Sequence, residues 1–307
     1  MDVKNHNMNK EKPIMRKRFR IIAFLAFFFG IIMAVSQYFE FVSKTVYEES
    51  VSHLTEVFHQ SDNMLGELTH KNLMYLHMWS EYLQDAPSES KIRDYIDKAQ
   101  KDAGFLYFYF LSADGNYKMT TGETGYLGLQ ENIEDEIQKG NDIITNAAVP
   151  GKSQMLVFAS PKAHGSYQGF KYDAIAIAYE NADIVNVLDI SAFNGKAKSY
   201  VLHPDGRVVI DHSLESWGNV YNFFGILREH TDISEKEILE ISKKFKEGHT
   251  GAMLLNLDGK DYYLVYEKSG IQDWVFLGLV QADIVNASMN TLPVSYTHLT
   301  LPTTPYV

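Results

Sequence analysis

The feature that most constrains this chain is an apolar run from Ile21 to Phe39, IIAFLAFFFGIIMAVSQYF, whose nineteen residues include no charged side chain. An α-helix rises about 1.5 Å per residue, so a helix of this length just crosses a hydrocarbon core about 30 Å thick. We therefore predict a transmembrane helix over residues 21–39 and expect chain on both sides of a membrane.

The charges beside this run predict its orientation. The first twenty residues carry seven Lys or Arg against only Asp2 and Glu11, whereas the whole chain has a net charge of −11. Basic residues next to an apolar span stay on the cytoplasmic side. We expect residues 1–20 to be a cytoplasmic tail and residues 40–291 to lie outside the plasma membrane. A cleaved signal peptide ending near Ala34-Val35-Ser36 is the alternative.

The acidic balance beyond the span argues against a nucleic-acid partner. Residues 40–85 hold apolar residues at helical spacing and predict one long stalk helix, or a slightly broken pair. A second helix is expected over Lys91–Ala103, with Ser88 or Ser90 as its N-cap. Heptad-like apolar spacing in the stalk further predicts a homodimer formed through this helix.

Beyond the stalk, the apolar period changes from helix to strand, and the pattern occurs twice. Asp114-Gly115 and Asp205-Gly206 each join two strands, and residues 130–149 between them are expected to be helical and then looped. Each half ends in the same five residues, Ala182–Asn186 and Ala282–Asn286. We therefore predict an α+β fold with two tandem PAS-like antiparallel-sheet modules, about 86–190 (membrane-distal) and about 191–291 (membrane-proximal).

Residues 294–307 have a different character. From Val294 the sequence VSYTHLTLPT resembles the translated read-through of a sequencing-library transposon adapter. We interpret this segment as non-native, with a genuine disordered tail as the alternative. We expect the native protein to continue into a second span and a cytoplasmic output module.

Motifs of catalysis are not found in the sequence. HExxH, GxSxG and GxGxxG do not occur, and Gly151-Lys152-Ser153 lacks the first glycine of a phosphate-binding loop, because position 146 is Asn. Asp211-His212-Ser213 holds triad residue types, but neighbours on a strand end point to opposite faces. His70 and His77 are expected on a solvated helix face. We predict no catalytic residue, metal site or cofactor in this chain.

A pocket is the more promising prediction. Along Phe105–Leu111 alternate residues share a face, which groups Phe105, Tyr107 and Tyr109 on the side away from the stalk helix. Two hydroxyls on an apolar face suit a small-molecule pocket. Lys171–Glu180 is predicted to be a strand, and within it Asp173 lies in an otherwise apolar run. The Asp173 carboxylate needs a partner, which a ligand ammonium would supply. The alternative is that the tyrosines are ordinary sheet residues and that Asp173 pairs with Lys118 or Lys171.

The order of these elements resembles that of the double Cache (dCache) sensor domain of bacterial transmembrane receptors, over roughly Val42–Thr291. Three segments carry the resemblance, FLYFYFLSADGNYKMTTG, KSYVLHPDGRVVIDHS and GHTGAMLLNLDGKDYYLVYEKSGIQDW. It implies that the membrane-distal module holds the ligand and that signals pass along the stalk.

The resemblance also suggests site residues. In the amino-acid-binding branch an Arg-x-Trp-Tyr motif grips the ligand carboxylate, and the nearest match here is Trp79-Ser80-Glu81-Tyr82, which has no Arg. Trp79, Tyr82, Tyr107, Tyr109 and Asp173 are therefore our candidate ligand-binding residues, with Asp173 in the place of an amine-binding aspartate.

The function predicted from the sequence is extracytoplasmic ligand sensing for a transmembrane signalling receptor, with a histidine kinase as the expected output. The sensor half of a diguanylate cyclase or of a chemoreceptor, and a membrane-tethered binding protein without an output domain, are the alternatives. An extracytoplasmic hydrolase is disfavoured because no nucleophile and base cluster in the sequence.

Overall fold

The computed structural model describes residues 8–85, 88–129, 133–148, 154–188, 196–211 and 222–289. The chain divides into two compact units, residues 1–50 and residues 51–307, which are considered separately. The predictions made for residues 1–7 and for residues 294–307 lie outside the described residues.

The first helix, α1, runs from Met8 to Gln84. Its apolar part is the one described segment that is long and apolar enough to cross a membrane. In the first unit the large apolar side chains of this segment are exposed, as Phe24 and Phe27 illustrate with 68% of their surface accessible. Exposed phenylalanines at this density are expected of a helix whose surroundings are lipid rather than water.

In the second unit, helix and strand elements alternate. The helices that follow α1 are α2 Glu89–Ala103, α3 Glu134–Lys139, α4 Asn181–Leu188, α5 Phe223–His230, α6 Glu235–Lys246 and α7 Ala282–Met289. The strands of the first half are β1 Tyr107–Leu111, β2 Asn116–Lys118, β3 Thr124–Tyr126, β4 Gly128–Leu129, β5 Ile143–Ala148, β6 Met155–Ser160, β7 Gly165–Tyr167, β8 Phe170–Tyr172 and β9 Ala174–Glu180. Those of the second half are β10 Lys198–Leu202, β11 Val208–Asp211, β12 Gly251–Leu257, β13 Lys260–Lys268 and β14 Val275–Gln281.

Two antiparallel sheets confirm the predicted duplication. The first has the order β3-β2-β1-β9-β6-β5-β4 and the second the order β11-β10-β14-β13-β12. In both, the first strand pairs with its hairpin partner on one side and with the last strand of its half on the other. The two repeated five-residue segments begin in α4 and α7, directly after those last strands. The domain boundaries near residues 86, 190 and 291 remain predictions.

Helix α1 packs against both sheets through its part beyond residue 50. Leu54, Leu65 and Leu76 on this part are fully buried. Phe58 stacks on Phe276 of β14, with ring centroids 6.1 Å apart. Further along the helix, Trp79 meets Phe108 of β1 at 6.1 Å. A long helix with an apolar stripe thus covers one face of each sheet, as the predicted stalk requires.

The other faces of the sheets are covered differently. In the second half, α5 and α6 pack their phenylalanines and isoleucines onto the sheet, and α6 begins with a capping box in which Ser234 and Glu237 bond each other's backbone N–H. In the first half an apolar cluster lies on this face, and several of its buried positions are alanines.

Several local predictions were wrong. Ser88 is at the N-cap of α2, but its hydroxyl meets Ser90 Oγ rather than a helix N–H. The stretch expected to be a loop near residue 143 is strand β5, which pairs along its length with β6. The single strand expected over Lys171–Glu180 is divided, because β8 pairs with β7 in a separate two-stranded sheet.

Candidate ligand-binding cleft

A cleft of about 820 Å³ opens at one end of the first sheet. The β1–β2 turn, β3, the start of α3 and the segment that leads into β9 surround it. Its walls are formed by Ser112, Ala113, Asp114, Asn116, Tyr117, Thr124, Gly125, Glu134, Gly169, Phe170, Lys171 and Asp173. This volume falls within the range of about 300–1,000 Å³ that is typical of small-molecule sites.

The β1–β2 turn forms a rigid wall of the cleft. Gly115 has φ of 86°, a backbone conformation that favours glycine. Asp114 receives hydrogen bonds from the Ser112 hydroxyl, from the backbone N–H of Asn116 at 3.2 Å and from Asn116 Nδ2 at 2.7 Å. The bond from Ser112 and those from Asn116 lower the pKa of the Asp114 carboxyl. This carboxyl therefore stays ionised beside the cleft.

Asp173 lines the cleft next to this turn. It is half-buried between β8 and β9. Its Oδ2 accepts a 2.9 Å hydrogen bond from the backbone N–H of Ala113, and its own N–H donates to Leu111 O. The alternative partners are wrong: Lys118 Nζ donates to Gln168 O, and no salt bridge joins Asp173 to a described lysine. The turn thus positions the Asp173 carboxylate without neutralising its charge.

The cleft is strongly acidic. Of the described residues that line it, Asp114, Glu134 and Asp173 are acidic and Lys171 alone is basic. Carboxylates that share a partly enclosed space make the electrostatic potential there more negative, which attracts cations and repels anions. The arrangement is suited to a ligand that carries at least one positive charge.

Tyr107 and Tyr109 support the cleft from below rather than lining it. Tyr109 is fully buried in the apolar cluster, and its ring lies edge-on to Tyr117 with centroids 4.7 Å apart. Burial, followed by the neighbouring Tyr117 and Tyr107, raises the pKa of the Tyr109 phenol far above its usual range. Tyr109 is therefore a neutral packing group that fixes Tyr117 in the cleft wall.

Trp79 and Tyr82 lie on the helix side of the sheet. Trp79 packs against Phe105 and Phe108, with centroids 5.3 and 6.1 Å apart, and Tyr82 stacks on Tyr95 at 3.9 Å. The structure therefore does not bring these two residues together with Asp173. Their contact with a ligand stays a prediction. Phe105 was predicted to lie on the side away from the stalk helix, but it lies on the helix side with Trp79. The alternation of faces does not reach Phe105, because β1 begins only at Tyr107.

The residues that were considered for catalysis or metal binding lie partly outside the described part of the chain. The side chains of Gly151-Lys152-Ser153 and of His212 and Ser213 lie outside the described residues. His77 was expected on a solvated face, but it forms two hydrogen bonds. Its Nε2 is 2.7 Å from Asp142 Oδ2, and its Nδ1 is 3.1 Å from Lys162 Nζ. Within the described part of the chain, no group of His, Asp and Glu is arranged to hold a metal ion.

Sequence reasoning missed most of the cleft wall. Asp114 was identified as a turn residue, but its place beside Asp173 depends on the pairing of β1 with β9. Glu134 comes from a helix and Tyr117 from a returning strand, and no spacing in the sequence connects them. The sequence offered one signal for this site, namely an acidic turn residue, Asp114, and a second acidic residue, Asp173, in a later apolar run.

The chain is similar to known proteins in structure but not detectably in sequence. No protein-family profile and no curated protein matches the chain. Solved structures do match. The extracellular domain of mmHK1S-Z3, which is designated a histidine kinase, has a TM-score of 0.54 at 14% identity, over 81% of this chain and 99% of that one.

A second similar structure is the ligand-binding domain of the Pseudomonas aeruginosa PAO1 amino acid chemoreceptor PctB, solved with L-Arg. It has a TM-score of 0.54 at 15% identity, over 83% of this chain and 100% of that domain. The chain therefore has the fold of the extracellular sensory domains of chemoreceptors and histidine kinases. The resemblance seen in the sequence is confirmed at the level of fold.

Proposed function

We propose that this chain senses a small cationic molecule outside the cell for a membrane-anchored signalling receptor, with a histidine kinase as the expected output. The observation that carries the proposal is the Asp173 carboxylate, which the backbone of Ala113 holds in an acidic cleft of about 820 Å³. The shared fold with sensory domains supports a binding role.

The ligand would enter with an ammonium or guanidinium group toward Asp173, between Asp114 and Glu134. Charge-assisted hydrogen bonds to ionised groups are about twice as strong as neutral ones. Lys171 on the same wall offers a partner for a carboxylate. Amines, diamines and basic amino acids are therefore the ligand class, and L-Arg, which is bound to PctB, is a suitable first probe.

Binding would transmit a signal if the ligand prefers one of two packings of helix α1 against the first sheet. The described contacts support such a connection, because the strand that follows Asp173 also carries Tyr179, which bonds the helix. A ligand shifts the equilibrium only by the difference between its affinities for the two packings.

Ligand binding is tested by calorimetric titration of the full chain in lipid nanodiscs. We expect putrescine and L-Arg to bind and acetate to give no heat. Asp173→Asn should weaken the binding of both amines by about tenfold or more, because it removes a charged partner. Asp94→Asn, on the exposed side of α2, is the matched control and should leave the affinity unchanged. Equal affinities in Asp173→Asn and in the unmodified chain would reject the cleft.

The proposed topology has a direct test, because the chain contains no cysteine. In intact cells, a membrane-impermeant maleimide should label Asp94→Cys at once. Asn5→Cys should react only after the membrane is permeabilised. The opposite pattern would reverse the orientation that the basic tail predicts, and labelling of neither variant would argue against a membrane-anchored domain at the surface.

We further propose that helix α1 pairs with a second copy of itself. Met64, Met74 and Met78 lie on one face of the helix, and each has 40–53% of its surface exposed. Exposed apolar residues that share a face form a patch, and such patches mark interaction surfaces more often than single exposed residues do. Met74→Cys should form a disulfide-linked dimer under mild oxidation. Leu239→Cys, at a position of α6 that is 65% exposed against 53% for Met74, should not. Equal cross-linking of both variants would indicate random collision.

A further inference from the structure

The second sheet repeats the turn that forms the wall of the cleft. In the first sheet, Ser112 N donates to Asn116 O at 2.9 Å and Gly115 N donates to Ser112 O at 3.0 Å. In the second, His203 N donates to Arg207 O and Gly206 N to His203 O, both at 2.8 Å. Gly115 and Gly206 share the same φ of 86°. The two turns are therefore the same structure, 91 residues apart.

The side chains of the two turns are equivalent but differ in charge. Asp205 Oδ1 accepts from the backbone N–H of Arg207 at 3.1 Å, and its Oδ2 accepts from Arg207 Nε at 2.7 Å. Asn116 makes the corresponding two bonds to Asp114 in the first turn. A guanidinium thus takes the place of a neutral amide, so the second turn carries a cation where the first carries none.

A smaller cavity lies beside this second turn. It has a volume of about 260 Å³ and is lined by His203, Pro204, Asp205, Arg207, Lys246 and Asp273. The side chain of His203 is buried, and its ring lies edge-on to Trp274 with centroids 6.1 Å apart. Lys246 is at the end of α6, and Asp273 precedes β14, much as Asp173 precedes β9 in the first half.

The charges around this cavity fall into two groups. Arg207 and Asp205 pair with each other. Lys246 and Asp273 carry opposite charges on the same cavity, yet among the described residues neither forms a salt bridge within 4.0 Å. Among the described residues that line the cavity, one cation and one anion therefore remain without a salt bridge to each other.

We propose that this cavity is a second binding site, specific for a small zwitterion. The ligand carboxylate would lie at Lys246 with Arg207 beside it, and the ligand ammonium would lie at Asp273. A ligand with only a negative charge would face Asp205 and Asp273, and one with only a positive charge would face Arg207 and Lys246. The volume restricts the ligand to a few non-hydrogen atoms, such as those of glycine or β-alanine.

This site is independent of the first cleft, which is acidic and about three times larger by the two volumes given above. The two copies of one turn would then select different ligands by exchanging Asn116 for Arg207. Each sheet would carry its own recognition site at the same structural position.

The test is calorimetric titration of the full chain in nanodiscs with glycine and β-alanine, and separately with acetate and methylamine. We expect the two zwitterions to bind and acetate to give no heat. Methylamine should give only the heat of binding in the first cleft, and Asp173→Asn should remove it. Lys246→Met and Asp273→Asn should each weaken zwitterion binding by about tenfold or more. Lys236→Met and Asp232→Asn, exposed charges outside the cavity, are the matched controls and should not change the affinity.

Three results would overturn the proposal: no heat from either zwitterion up to tens of millimolar, acetate binding as tight as glycine binding, or unchanged affinity in both Lys246→Met and Asp273→Asn. The double-site arrangement also predicts that Asp173→Asn leaves zwitterion binding at this cavity intact. If Asp173→Asn loses amine binding in the first cleft but keeps zwitterion binding, the two sites are independent. The two proposals can therefore fail separately.

Discussion

Tyr179 Oη donates a 2.8 Å hydrogen bond to Asn72 Oδ1, and this bond joins the last strand of the first sheet to helix α1. Asn72 is fully buried and Tyr179 nearly so. Burial raises the pKa of the Tyr179 phenol to about 12. The hydroxyl therefore keeps its proton throughout the physiological range and remains a donor to the helix.

Tyr179→Phe should destabilise the second unit by about 1–3 kcal/mol, because it leaves the buried Asn72 oxygen without its donor. The free energy of unfolding, from urea titration of the detergent-solubilised chain followed by tryptophan fluorescence, measures this change. Tyr126→Phe is the control, since Tyr126 is 60% exposed and should lose almost nothing. Equal losses in the two variants would show that the bond to Asn72 contributes no stability.

Gly278 allows β14 to approach helix α1 closely. A Cβ at this position would lie 2.4 Å from Phe58 Cζ. Gly278→Ala should therefore cost about 1–3 kcal/mol in the free energy of unfolding through overpacking. Adding Phe58→Leu should recover part of the loss, because the shorter side chain makes room.

Gly225→Ala is the matched control for this steric argument. Gly225 is in α5, and a Cβ added there would have no atom within 4 Å of it. Alanine is favoured over glycine in a helix by about 0.5–1 kcal/mol, so this variant should be slightly more stable. A loss as large as that of Gly278→Ala would show that glycine-specific backbone conformation, rather than contact with Phe58, determines the cost.

Glu267 on β13 gives a pH-dependent prediction. Its Oε2 is buried without a hydrogen-bond donor among the described residues. Burial raises the pKa of the Glu267 carboxyl, and the Asp62 carboxylate raises it further while His59 opposes the change. A raised pKa means that the folded state holds this proton more tightly than the unfolded chain, so stability is lost as pH rises through the folded pKa.

Glu267→Gln should therefore raise the unfolding temperature at pH 7.5, and this gain should disappear as the pH falls toward about 4, where the unfolded carboxyl also takes up its proton. Thermal unfolding between pH 4 and pH 8 measures it. Glu240→Gln, on the exposed side of α6, is the control and should show no such trend. A gain in Glu267→Gln that grows at low pH would contradict the sign of this prediction.

His77 connects helix α1 to the ends of β5 and β6. An ammonium can only donate, so Lys162 donates to His77 Nδ1, and His77 Nε2–H donates to Asp142. The Ser160 hydroxyl donates to the same carboxylate at 2.7 Å. A double-mutant cycle with His77→Ala and Asp142→Asn should give a coupling of about 0.5–1 kcal/mol. The exposed pair Lys139 and Glu136 is the comparison and should show no resolvable coupling.

The amino-acid sequence determined the elements whose signals are local. The nineteen-residue apolar run and its basic flank set the candidate membrane span, and the apolar spacing after it predicted a long helix. The two Asp-Gly turns predicted both hairpins, because positive φ at Gly115 and Gly206 is a property of the turn itself. The capping box at the start of α6 is likewise a local feature, because its residues, Ser234 and Glu237, are three positions apart.

Tertiary structure alone decided the rest, because those features depend on partners far away in the chain. Residues 143–148 form a strand because β6 pairs with them, although their own sequence suggested a loop. The sequence predicted that Trp79 and Asp173 bind the same ligand, but Trp79 lies on the helix side of the sheet and Asp173 lines the cleft. Asp173 faces a cleft, and not a lysine, since the pairing of β1 with β9 brings it to the backbone N–H of Ala113. Which side chains share a site is set by long-range pairing, and no local pattern in the sequence records it.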